Sequence, residues 1–234
     1  SLIVLCLYTK AKIDKEKYGL KPVYDGQLLI KVLNLSVWSM LHAFISVVPW
    51  FLFFVAIEHL GKTELAISNI TRSVSAIFFV IANSFAVTTG SLVSNAIGAR
   101  ARNELFPICH KVLKLGYAVG IPFVVVALLC NRWIVSFYTD NELLIELAFA
   151  PFVVMLLNYT FALPGYVYLN AVGGTGKTKI TFLFQVTTTC VYLVYLYWLS
   201  FCIKASLSLY LTAEYLFVIL LALQSIIHLK SKHY

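Results

Sequence analysis

Residues 32–57 read VLNLSVWSMLHAFISVVPWFLFFVAI, a run from Val32 to Ile57 without a single Asp, Glu, Lys or Arg. A helix rises 1.5 Å per residue, so about 20 apolar residues cross the roughly 30 Å hydrocarbon core of a bilayer, and this run is long enough to do so. It is not isolated. Outward along the chain, Ser73 to Ala99, Leu115 to Asn131, Leu147 to Gly176, Ile180 to Ile203 and Tyr215 to Leu229 are equally free of those four residues. The two shortest runs need their flanking residues to complete a crossing. Six uncharged runs separated by short charged breaks predict an all-α membrane protein: a bundle of six transmembrane helices near 33–60, 65–99, 105–131, 143–172, 179–203 and 207–229.

The breaks carry the orientation. Lys10, Lys12, Lys15, Lys17, Lys21 and Lys31 precede the first run, and Arg100, Arg102, Lys111 and Lys114 follow the second. Lys177 and Lys179 follow the fourth, and Lys230 and Lys232 the sixth. The alternate breaks hold Lys62, Arg132 and Lys204, with Arg72 at a helix edge. Lys and Arg are disfavoured in short exported loops, so the rich side is expected to be cytoplasmic and the C-terminus with it. The net charge of +8 is thus spread by topology rather than gathered on one face. It points to anionic lipid headgroups as partners and away from nucleic acid. With 61% hydrophobic and 12% charged residues, the chain lies outside the range of soluble domains.

Residues 1–8 read as the end of a preceding transmembrane helix without the basic start of a signal peptide. Residues 9–31 form the one sizeable polar segment, broken by Gly19, Pro22 and Gly26, and from about Gln27 the pattern suits an interfacial helix leading into the first span. The expected domains are therefore 1–8, a cytoplasmic linker at 9–31, and a six-helix lobe at 32–234.

Inside the spans, polar residues are costly unless they face partners or a watery cavity, which singles out Asn83, Asn158 and Gln185. Pro151 and Pro164 interrupt the fourth span, as in the broken helices that border transporter cavities. Gly116 and Gly120 suit a close packing face. Glu58 and Arg72 fall at the facing ends of consecutive helices and could meet across the turn at Gly61, either as a structural ion pair or as a gate. Glu214 is either interfacial or a titratable acid in a cavity. Tyr192, Tyr195, Tyr197, Trp198, Tyr210 and Tyr215 read as an aromatic belt.

The segment Gly173-Gly-Thr-Gly-Lys-Thr178 has part of the spelling of a phosphate-binding loop. Ala171 occupies the position of its first glycine, and a helix precedes it where that loop needs a strand, so nucleotide binding is not expected. The five cysteines lack ligand spacing, no metal is expected, and neither a Ser-His-Asp constellation nor a metal-ligand pattern argues for an enzyme.

Three stretches resemble a known family. Phe53-Phe-Val-Ala-Ile-Glu-His-Leu-Gly61, Glu64-Leu-Ala-Ile-Ser-Asn-Ile-Thr-Arg72 and Ser91-Leu-Val-Ser-Asn-Ala-Ile-Gly-Ala-Arg100 are similar to the seventh and eighth helices of MATE multidrug and toxic compound extrusion transporters. Phe137-Tyr-Thr-Asp140 and Ala171 to Thr178 resemble later segments of the same family. The resemblance implies a C-terminal lobe, joined through the linker to an N-terminal lobe of the same polypeptide outside this sequence. It also implies a multi-pass protein of the inner (plasma) membrane, with no cofactor beyond a coupling ion. The implied function is export of organic, often cationic, compounds in exchange for H+ or Na+, with a lipid or polysaccharide flippase of the same superfamily as the alternative. Candidate cavity residues are Asn83, Asn158, Tyr159, Tyr166 and Gln185, and candidate coupling or gate residues are Glu58, Arg72 and Glu214. The family's usual acids in the seventh and tenth helices would fall near Ser46 and Ala162, which cannot ionise.

Overall fold

The computed structural model describes residues 25–203 and 205–231. The helix end expected at 1–8 and the linker up to residue 24 lie outside the described residues. The chain divides into units of residues 1–36 and 37–234. In the first, the described residues open a helix, α1 (Gly26–Glu58). Asp25 Oδ1 accepts the backbone N–H groups of Gln27 at 2.9 Å and Leu28 at 3.0 Å, satisfying two donors that a helix start leaves without partners. The helix therefore begins within the segment assigned to the linker.

The second unit continues α1 and adds α2 (Lys62–Gly98), α3 (Leu105–Leu129), the short α4 (Asn131–Ser136), α5 (Glu142–Leu157), α6 (Tyr159–Gly174), α7 (Thr178–Trp198) and α8 (Leu207–Lys230). No strand occurs among the described residues. Counting α5 with α6, six helical segments are long and apolar enough to cross a membrane.

The fourth span is two helices rather than one. Asn158 separates them, its own N–H bonded to the Val154 carbonyl at 3.2 Å. That carbonyl also accepts the Tyr215 hydroxyl of α8, which anchors the end of α5 to a third helix. Within α6, Pro164 has no N–H to give the carbonyl four residues back. The Tyr117 hydroxyl of α3 supplies the donor instead, reaching Thr160 O at 2.7 Å. The break is thus tied to neighbours on both sides.

Close helix approach depends on small residues at a few points. A Cβ on Gly120 of α3 would overlap the Tyr159 ring, whose hydroxyl donates to Gly116 O at 2.8 Å. A Cβ on Gly174 would stand 2.5 Å from Gly90 O, and Ser94 Oγ donates to Gly174 O at 2.8 Å, so α2 and α6 cross nearly backbone to backbone. The glycines of the loop-like motif therefore pack two spans together, and Gly176, at φ +84°, makes the turn into α7.

The core runs through α2, α5, α6, α7 and α8 and holds Phe152, Leu163, Tyr192, Tyr210 and Leu221. In α1, by contrast, Pro49, Phe53 and Ile57 are the buried residues, and Met40, Phe44 and Phe51 stand about 70% exposed on the isolated chain. In the second unit α1 leans on its neighbours through rings: Trp38 on Phe182 at 5.5 Å and Trp50 on Phe79 at 6.4 Å between centroids.

Candidate functional site

The second unit contains an open cavity of about 440 Å³, to which α1, α2, α6, α7 and α8 all contribute walls. Asn83, Tyr166 and Gln185 line it, together with Trp50, Phe79 and Glu214. A smaller pocket of about 50 Å³ shares Glu214 and Tyr166 with it, and Asn158 and Tyr159 line that one. The structure therefore distributes the five cavity candidates between two adjoining spaces. Trp50, Phe79, Tyr166 and Glu214 border both.

Ser46 lines the larger space and Ala162 the smaller. The two positions at which the family resemblance would place acids thus face the cavities but carry no ionisable side chain. Glu214 is the carboxylate on both walls.

Arg72 is 3% exposed, and its Nη2 donates to Glu214 Oε1 at 2.7 Å, joining α2 to α8. The Tyr192 hydroxyl of α7 donates to the same oxygen at 3.3 Å. The guanidinium carbon lies 3.9 Å from the Phe53 ring centre, 4.3 Å from Trp50 and 5.2 Å from Phe54. Its Nε and Nη1 have no hydrogen-bond partner among the described residues. One carboxylate and the faces of α1 aromatic rings are therefore what hold this cation in an apolar interior.

Pairing of Arg72 with Glu58 is corrected by this geometry. Phe53 and Ile57, one helical turn apart, turn inward on α1, while the neighbouring Glu58 points outward and is exposed. On α2 the buried face includes Ser68, Thr71, Arg72, Ser75 and Phe78, which carries the Arg72 side chain into the bundle. Two belt assignments change as well. Tyr192 and Tyr210 are 0% and 1% exposed, whereas Tyr197 and Trp198 face outward. Tyr210 donates to Ser200 Oγ at 2.9 Å.

Residues that sequence reasoning left out are Trp50, Phe79, Asn170, Phe217 and His42, all on the larger cavity. The aromatic ones are indistinguishable in sequence from lipid-facing rings of the same spans. His42 had a signal, an ionisable residue within an otherwise uncharged run.

A family model described as MatE matches residues 39–199. Among solved structures the chain is similar to a MATE in the bent conformation, at 18% identity and TM-score 0.72, over 83% of this chain and 44% of that one. It is similar to the outward-facing form of a multidrug resistance MATE family transporter of the MOP superfamily, at 17% identity and TM-score 0.71, over 84% and 43%. A MOP superfamily transporter from Pyrococcus furiosus gives 17% identity and TM-score 0.70, over 84% and 43%. At these identities the likeness concerns the fold, and this chain spans less than half the length of each structure. Comparison with curated protein sequences gives no match. Because the family model covers well over half of the sequence, the chain belongs to the MatE family of membrane transporters.

Proposed function

We propose that this chain acts as one lobe of a secondary antiporter that exports organic, often cationic, compounds in exchange for inward H+ or Na+. An N-terminal lobe of the same polypeptide would close the other side of the cavity. The observation that carries the reading is the buried Arg72–Glu214 pair, whose carboxylate borders a 440 Å³ cavity walled by aromatic rings and amides. Rings hold organic cations through their faces, and amides hydrogen-bond without demanding one substrate shape.

The pair also supplies a coupling mechanism. Protonation of Glu214, or its capture by Na+, removes the counter-charge of a guanidinium that cannot lose its own proton. An uncompensated buried charge costs about 3–5 kcal/mol, so the cage around Arg72 becomes unfavourable. The cage consists of Trp50, Phe53 and Phe54, all on α1. Moving α1 relieves the strain and remodels the cavity wall, to which Trp50 of the cage belongs. Ion binding at Glu214 and access to the cavity are in this way linked through one helix.

The sidedness follows the basic breaks, with the loops at Arg100 and Lys177 in the cytoplasm and the protein in the plasma membrane. The test is transport by the complete protein in vesicles with imposed H+ or Na+ gradients. Gradient-driven accumulation of a fluorescent organic cation is expected from the wild type, with a drop of about tenfold or more in Glu214→Gln. Full gradient-driven transport by Glu214→Gln would remove Glu214 from coupling.

A further inference from the structure

His42 stands on α1 between two spaces. It lines the 440 Å³ cavity that holds Glu214, and it lines a second cavity of about 400 Å³ reaching toward the basic end of the bundle. Ser94, Asn170, Gly174 and Thr178 border this second cavity, and His42 is the one titratable side chain among the described residues on its wall. The imidazole is half-buried, and its Nε2 is shielded and has no hydrogen-bond partner among the described residues. Pro49 separates it along α1 from Trp50 and Phe53, the rings that cage Arg72.

We propose that His42 is a second proton-carrying residue of this lobe, relaying the proton between Glu214 and the cavity at the basic end when α1 moves. The proposal rests on the coupling role of Glu214. In the forward step a proton leaves the Glu214 carboxyl, passes through water in the shared cavity, and adds to the neutral imidazole. It then leaves the imidazolium for water in the second cavity. The carboxylate that remains re-forms its pair with Arg72, which stays protonated throughout. Imidazole suits the task because its ordinary pKa near 6.5 lets it accept and release a proton close to neutral pH.

The shielded nitrogen is what keeps such a relay compatible with antiport. A standing proton path between the two cavities would dissipate the gradient without moving substrate. In the present arrangement Nε2 offers no route, and an imidazolium there would bury a charged N–H without an acceptor. Protonation of His42 therefore favours displacement of α1, the same movement that neutralising Glu214 favours. Removal of a helical hydrogen bond by Pro49 places a weak point between the two groups. Among the described residues, the other ionisable groups that contact Glu214 or line its cavity with His42 are Arg72 on α2, Tyr166 on α6 and Tyr192 on α7. Lys179, on α7, lies over the Trp38 ring at 5.2 Å. Of these, none has an ordinary pKa near neutrality.

The experiment compares His42→Gln and His42→Asn with the wild type in the complete protein, using two assays of one labelled organic cation. Counterflow at equal pH on both sides requires substrate exchange without net proton movement, and pH-gradient-driven uptake requires both. Gradient-driven uptake is expected to fall about tenfold further than counterflow in both variants, with its dependence on pH between 6 and 8 flattened. Wild-type gradient-driven uptake and pH profile in the variants would overturn the relay, as would equal loss of counterflow, which would make His42 a binding or packing residue. Driving by Na+ alone in the wild type would overturn the relay while leaving the transport reading intact. Absence of any wild-type transport would instead refute the reading on which the relay rests.

Discussion

Arg72 and Glu214 are individually unfavourable in the middle of a membrane bundle, and they persist because each removes the penalty of the other. Removing one partner strands the other, so Arg72→Ala and Glu214→Ala are each expected to destabilise the purified protein by about 3 kcal/mol or more. The double replacement Arg72→Met with Glu214→Met is expected to be milder than either single change. A thermal-unfolding double-mutant cycle measures this, and additive losses would deny the pairing. Glu58→Gln, at an exposed position, is expected to leave the melting temperature unchanged. The sequence marked all three residues as exceptions to an uncharged pattern, and that part was legible. Which acid Arg72 meets was not, because helical phase decides it: Glu58 is near in sequence but turned outward, while Glu214 lies 142 residues away on a facing helix.

At the scale of elements, hydropathy alone placed the spans, since a run without charges has few alternatives to a membrane helix. The break at Asn158 was less visible. Pro151 and Pro164 signalled irregular backbone in this span, but the partner that satisfies the freed carbonyl, Tyr117, belongs to another helix and no local pattern names it. Tyr117→Phe should cost about 1 kcal/mol through the unpartnered Thr160 carbonyl, read as a lowered melting temperature. Gly120→Leu should be much worse, because the Tyr159 ring already occupies the space a side chain would need. Loss of folded protein on size-exclusion chromatography is the expected outcome, and a monodisperse, wild-type profile would contradict the packing of α3 against α6. The same reasoning separates buried aromatics from belt aromatics: Tyr192 and Tyr197 differ by five residues, one buried in the core and the other exposed.

For the whole molecule, the distribution of charge and of exposed apolar side chains makes one physical picture. Leu129, Phe44, Phe201 and Val194 are each at least 70% exposed on the isolated chain, a surface suited to lipid tails or to another lobe rather than to water. Orientation rests on the basic breaks. A cysteine replacing Lys177 is expected to react with a membrane-impermeant thiol reagent only from the cytoplasmic side, and one replacing Asp140 only from the outside. The reverse pattern would invert the assigned direction of transport. In the proposed mechanism, substrate and coupling ion meet at Glu214. Its most direct test is the affinity of the purified complete protein for an organic cation as pH is lowered or Na+ is raised. At least one of these ions is expected to weaken binding in the wild type, and neither to do so in Glu214→Gln. Binding indifferent to both ions in the wild type, or unchanged competition in Glu214→Gln, would contradict it.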